Sequence, residues 1–99
     1  MPTVEVIVRK IANEELPGWL ECQLVEADGR EHIIIEKAPV LFAGPAPRRE
    51  ELPVSARISC TCVEEKESTV KIDTSKPFGI ESTEGQYEFT VKRGSYHAT

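Results

Sequence analysis

Three cysteines and two histidines are the side chains in this sequence best suited to ligating a metal or attacking a substrate, and their spacing assembles neither kind of site. Cys60-x-Cys62 lacks the two- to four-residue spacer of a zinc knuckle, no second cysteine pair follows, and His32 and His97 lie far apart along the chain. The cysteines are therefore expected as reduced, largely buried thiols, which pack like small hydrophobes. A nucleophilic serine or cysteine needs an oriented base beside it. The pairing nearest to that requirement sets Cys22 across a hairpin from the side of His32, and nothing in the spacing orients it. No metal, no cofactor and no catalytic residue is expected, and the chain is not read as an enzyme.

Two further groups have the right chemistry but an ordinary explanation. Glu21 and Glu36 come opposite each other in the hairpin register described below, yet exposed glutamates on neighbouring strands usually repel weakly or await a basic partner. Arg48 and Arg49, with Arg57, suggest a basic patch that Glu50 and Glu51 largely neutralise. The stretch from Asp73 to Glu81, DTSKPFGIE, is the most suggestive loop. Ser75, Lys76 and Phe78 there form a candidate ligand loop of backbone donors, a cation and an aromatic ring. The competing structural reading makes Phe78 a plug at one end of the core, with Pro77 and Gly79 shaping the turn.

The elements that must position these residues read as strands. Trp19 to Lys37, WLECQLVEADGREHIIIEK, is two strands around Asp28-Gly29, a pair suited to the positive φ of a tight hairpin turn. A two-residue turn sets Leu24 opposite Ile33 and Cys22 opposite Ile35. Leu20, Cys22, Leu24, Ile33 and Ile35 then face the core, and Trp19, Glu21, Gln23, Val25, His32, Ile34 and Glu36 face out. A three-residue turn with a Gly29 bulge pairs Glu26 with Arg30 but places Glu36 beside Leu20. Each buried Ile is worth roughly 1.5–3 kcal/mol against roughly 0.2–1 kcal/mol for a cross-strand ion pair, which favours the two-residue register.

Alternation predicts a first strand over Thr3 to Lys10, a strand over Val54 to Val63, a short one over Thr69 to Asp73, and a last one carrying Tyr87, Phe89 and Val91. Val40 to Phe42 is expected as a bent continuation of the third strand after Pro39. Ala43 to Pro53 is a proline-rich surface loop with room for one helical turn before Pro53. Residues 93–99 are expected to fray. At 99 residues the chain is one β domain over 1–99, with an ordered core over about 3–92. The fold class is all-β: a small barrel or roll of about six short antiparallel strands, SH3-like or OB-like, or alternatively a two-sheet sandwich.

Composition bounds the function. Hydrophobic residues at 39% and charged residues at 29% are ordinary for a globular chain, and a net charge of −5 disfavours a phosphate-tracking protein. No run approaches the roughly 18 apolar residues of a membrane span, and the start of the chain lacks a signal pattern. With an odd number of cysteines this gives a cytoplasmic expectation without membrane contact. The functional expectation is a non-catalytic interaction module whose half-polar hairpin face, with Trp19, Val25, His32 and Ile34, binds a protein partner or a second copy. The alternative is an oligonucleotide-binding barrel using Phe78, Tyr87 and Lys76 or Arg57.

Overall fold

The computed structural model describes residues 1–99 as two antiparallel sheets over one core. The first contains β1 (Thr3–Asn13), β2 (Trp19–Val25), β3 (Glu31–Lys37) and β4 (Val54–Ser59) in the order β3-β2-β1-β4, with β8 (Tyr96–His97) pairing the start of β1. The second contains β5 (Thr61–Glu65), β6 (Thr69–Asp73) and β7 (Glu88–Lys92) in the order β5-β6-β7. The architecture is the sandwich alternative, with two more strands than the alternation alone predicts. No closed barrel forms.

The extra strands have local causes. The alternating stretch expected as one strand over Val54 to Val63 breaks at Cys60, whose N–H donates to the Pro2 carbonyl at 3.0 Å. The chain passes there from the first sheet to the second with the Cys60 side chain still buried. The tail expected to fray is held as far as His97, because Tyr96 and His97 pair with Val4 and Thr3. In β1, Val4, Val6 and Val8 point inward, and a register shift between Val8 and Lys10 lets Ile11 also pack against the core. A bulge of this kind re-aims the residues that follow it. Ala38–Leu41 forms one helical turn, α1, with Pro39 at its start, where the missing N–H costs nothing, so the expected strand continuation is absent. Ala38 and Leu41 from α1 are buried. Arg49–Glu51 makes the single turn expected before Pro53.

The hairpin adopts the register that the sequence argument set aside. Leu24 pairs with His32, Cys22 with Ile34 and Leu20 with Glu36, and the turn closes with Glu26 N–H donating to the Arg30 carbonyl at 2.8 Å. Gly29, at φ +91°, supplies the left-handed residue of this longer turn, and Asp28 Oδ1 accepts the Arg30 N–H at 3.0 Å. Every side chain of β3 is thereby on the opposite face from the one expected. The feared cost at Glu36 is small. It sits near the strand end, half-buried, with its carboxylate turned onto the Lys37 N–H at 3.0 Å.

The turn also joins the two sheets on the side away from β4 and β5. Ala27 N–H donates to the Thr90 carbonyl at 2.9 Å, and Thr90 N–H donates to Glu26 Oε2 at 2.9 Å. The outer edge of β3 receives the 80–86 segment, with Thr83 N–H on the Ile33 carbonyl at 2.8 Å. The edges of β3 and β7 are thus each capped in part by main chain, which limits edge-to-edge pairing there.

Candidate interaction surface

Strand parity on the first sheet decides which of the expected contact residues are available. His32 is only 4% exposed and Ile34 is fully buried, so neither lies on the outer face. The register moves both inward and turns Ile33 and Ile35 outward. Trp19 and Val25 keep the orientation expected of them. The outer face therefore carries Ile33 and Ile35 from β3, Trp19, Glu21, Gln23 and Val25 from β2, and Glu5, Ile7 and Arg9 from β1. Ile7, Val25 and Ile35 are 38%, 44% and 41% exposed, unusually open for aliphatic residues in the middle of paired strands.

Polar groups frame this apolar stripe. The Lys37 ammonium stands 5.6 Å from the centre of the Trp19 ring, a cation–π contact that holds the ring at the end of β2. Lys10 approaches Glu21 at 3.8 Å, and Arg9 Nη1 donates to Gln23 Oε1 at 3.4 Å. Glu21 faces Ile35 across the strands rather than Glu36, so the paired carboxylates expected from the other register do not form. Where β1 changes partners from β2 to β8, a hollow of about 160 Å³ opens between Ile7, Gln23, Val25 and Ser95. Glu5 stands on its rim, 2.6 Å from His97 Nε2.

The inner face holds Cys22, Cys60 and His32 in different surroundings. Burial pushes the Cys22 thiol up to about 12, with the carboxylates of Glu36 and Glu21 adding to the effect, so the nucleophilic thiolate is suppressed. Burial likewise raises Cys60 to about 11, assisted by Cys62 and Asp73. All three cysteines are free thiols, but Cys62, expected buried, is exposed, because β5 extends past the core with every residue open to solvent. His32 Nε2 lies 2.7 Å from Glu26 Oε1, and its ring meets Phe89 edge-on at 4.9 Å. An ionised carboxylate only accepts, so Nε2 carries the proton, and the buried Nδ1 has no hydrogen-bond partner. This buried bridge was invisible in the sequence, since its other contact, Thr90, is 64 residues from Glu26. No three His, Cys, Asp or Glu side chains converge as a metal site.

The candidate ligand loop is built differently from expectation. Asp73 Oδ1 accepts the Ser75 N–H at 2.8 Å, Thr74 Oγ1 donates to the Ile80 carbonyl at 2.7 Å, and Gly79 N–H returns to the Ser75 carbonyl at 2.7 Å. Ile80 is the residue that plugs the core here; Phe78 is 57% exposed. Ser75 is half-buried and Lys76 exposed. The arginines are scattered: Arg48 is paired with Glu50 and Glu51, Arg49 with Glu14, and Arg57 lies opposite Glu5 on the first sheet.

Comparisons with protein-family models, with curated proteins and with solved structures each return no match. No helix is long and apolar enough to cross a membrane.

Proposed function

We propose that the chain is a non-catalytic protein-interaction module whose contact surface is the outer face of the β3-β2-β1 sheet. The observation that supports this reading is the solvent-open aliphatic stripe of Ile7, Val25 and Ile35 beside Trp19 and Ile33, rimmed by Lys10, Glu21, Arg9 and Lys37. A compact apolar centre within a charged rim is the anatomy of a recognition surface. The hollow beside Val25 and Ile7 offers a seat for one anchoring side chain. The test compares the wild-type chain with Trp19→Ala and Ile35→Asp in cross-linking and binding measurements on the native extract. The expected result is a discrete partner, cross-linked through Lys10 or Lys37, whose binding weakens by about 2 kcal/mol or more in Trp19→Ala, as for hot-spot aromatics generally. Association indifferent to both substitutions would overturn the reading.

A second reading has one observation in its favour. Phe78 and Tyr87 are both exposed, the loop that carries Phe78 and Lys76 is tied to Tyr87 by the Thr74 N–H to Tyr87 carbonyl bond of 2.9 Å, and Lys76 is exposed in the same loop. Exposed rings beside a cation are the elements of a base-stacking platform. Asp73, Glu81, Glu84 and Glu88 in the same region oppose a phosphate backbone. Salt-sensitive retention on single-stranded DNA, lost in Phe78→Ala, would favour this oligonucleotide-binding reading over the first.

A further inference from the structure

The first sheet ends at β4 in an edge that no other part of the chain covers. Cys60 N–H donates to the Pro2 carbonyl at 3.0 Å, and the β1–β4 register runs without a break from the Thr3–Ser59 pair to the Val8–Val54 pair. Along an antiparallel strand, residues that bond to one neighbour alternate with residues whose main chain faces the other way. Val54, Ala56 and Ile58 therefore turn their amides to β1. Ser55, Arg57 and Ser59 turn theirs outward, where no main-chain or side-chain group of the chain bonds to them. The other three edges each carry a device against pairing. Thr83 bonds to the β3 edge, and Ala27 and Glu26 bond to the β7 edge. On β5 the register shifts between Cys62 and Glu64, and Glu64 and Glu65 are exposed there. β4 has neither a bulge nor a covering segment.

We propose that the β4 edge binds an extended segment of another protein, which joins the sheet as a further strand and sets one carboxylate opposite Arg57. An edge specifies its occupant chemically. Its row of outward N–H and carbonyl groups is matched only by the alternating donors and acceptors of an extended main chain. Arg57 says which segment fits. It is exposed, and alone among the arginines it has no side-chain partner: Arg9 is on Gln23, Arg30 on Asp28, Arg48 on Glu50 and Glu51, Arg49 on Glu14, and Arg93 on Glu65. Glu5 lies opposite Arg57 on β1 but is held by His97 at 2.6 Å. A carboxylate on the incoming strand supplies the cross-strand ion pair that the chain leaves open. The residues on either side of that carboxylate turn to the inner face, in line with the buried Ala56 and Ile58, and are apolar for that reason. The net charge of −5 repels a longer acidic run, so the segment carries one acid between apolar neighbours. The same chemistry disfavours a second copy. Two β4 strands paired about a two-fold axis set Arg57 against Ser55, Arg57 or Ser59 of the other copy in every register that pairs the outward residues, and none of these is an acid. This edge is a contact surface distinct from the outer face, separated from Val25 and Ile35 by β1.

The probe is a short capped peptide that alternates valine with threonine, with glutamate in place of the central threonine. It is titrated to about 1 mM into the whole isotope-labelled chain and followed by amide hydrogen exchange and chemical shifts. The expected result is slowed exchange at the Ser55, Arg57 and Ser59 amides, which face solvent without the peptide. The same peptide with lysine at its centre should bind at least tenfold more weakly, and Arg57→Glu should reverse that order of preference. Arg57 is exposed and its amide lies outside the β1 ladder, so the substitution leaves the core intact, which circular dichroism of the variant verifies. Methylating the peptide amides that face β4 should abolish binding, and methylating those that point away should not. No binding up to about 1 mM, equal binding of the two peptides, or indifference to methylation overturns the proposal. Shifts centred on Val25 and Ile35 overturn it in favour of the outer face. Exchange at the three outward amides that slows with the chain's own concentration overturns it in favour of a second copy.

Discussion

Replacing Glu26 with Gln tests the bridge that ties the hairpin to the second sheet. Its two carboxylate oxygens face two donors, His32 Nε2 at 2.7 Å and Thr90 N–H at 2.9 Å, with the side chains of His32 and Glu26 only 4% and 11% exposed. A glutamine offers one oxygen. If its NH2 group faces Thr90, two donors meet. If it faces His32, the ring must move its proton to Nδ1, which has no acceptor. Either arrangement leaves one donor of the bridge without its acceptor, and Glu26→Gln should cost about 1 kcal/mol or more at neutral pH. Glu26→Ala removes the acceptor of both donors and should cost more than Glu26→Gln, about 2–3 kcal/mol. The pH dependence has a definite sign. Burial by itself raises the Glu26 carboxyl, but the Thr90 N–H, the His32 hydrogen bond and Arg30 outweigh it and hold the group below its ordinary 4.5. A carboxyl depressed by folding contributes its stability above the unfolded value and loses it as pH falls through the folded one. Urea unfolding of wild type and Glu26→Gln at pH 7 and at about pH 3 should therefore show a gap that narrows in acid. A gap below about 0.5 kcal/mol at pH 7, or one equally large in acid, would refute the bridge.

Hairpin register can be read from neighbouring isoleucines: Ile34→Ala should cost about 2–5 kcal/mol in chemical unfolding and Ile35→Ala less than about 1 kcal/mol, and the reverse order would restore the two-residue turn. In the 74–80 loop, Ile80→Ala should lose about 2–5 kcal/mol while Phe78→Ala stays within about 0.5 kcal/mol; a large loss at Phe78 would make it the plug after all. Thiol titration of the native chain should find Cys62 reacting at once and Cys22 and Cys60 only as fast as the protein opens, because burial suppresses both thiolates. Three fast thiols, or none, would contradict the packing of the β4–β5 junction.

Much of the fold was legible because each strand carries its own alternation. Val4, Val6 and Val8, Ala56, Ile58 and Cys60, Val70 and Ile72, and Phe89 and Val91 are all inward as their spacing predicts. What alternation does not encode is where a strand changes sheets. The backbone at Cys60 departs from its neighbours while its side chain keeps the inward parity, so the break is silent in the pattern and appears only in the Pro2 contact. The order of the tail is silent in the pattern for a related reason. Tyr96 and His97 are ordered by pairing with Val4 and Thr3 and by the 2.6 Å contact of His97 with Glu5, partners more than ninety positions away.

The candidate surface was half legible, and the missing half turns on one residue of register. Ile33-Ile34-Ile35 offers an apolar side chain to either face, so local burial distinguishes the two turns only by about one isoleucine, roughly 1.5–3 kcal/mol in favour of the two-residue form. The contacts that reverse this preference are all distant. The longer turn places His32 inward against Phe89 and on Glu26, aims Glu26 at Thr90 N–H, and puts Ala27 N–H on the Thr90 carbonyl, so two hydrogen bonds to β7, a ring contact with it and the His32–Glu26 bond become possible at once. At about 1 kcal/mol for a neutral hydrogen bond and about 1.5–3 kcal/mol for a charged one, they outweigh a single isoleucine left half open. Ile33 and Ile35 are thus turned outward by the polar junction with the second sheet. The solvent-open stripe beside Trp19 and Val25 is therefore coupled to that junction: Glu26→Ala, which weakens the hold on the turn, should raise hydrogen exchange across β3 together with β7 and loosen partner binding at the outer face. Exchange confined to the turn, with β3 and β7 unmoved, would show that the register stands without the bridge and that the stripe has another cause.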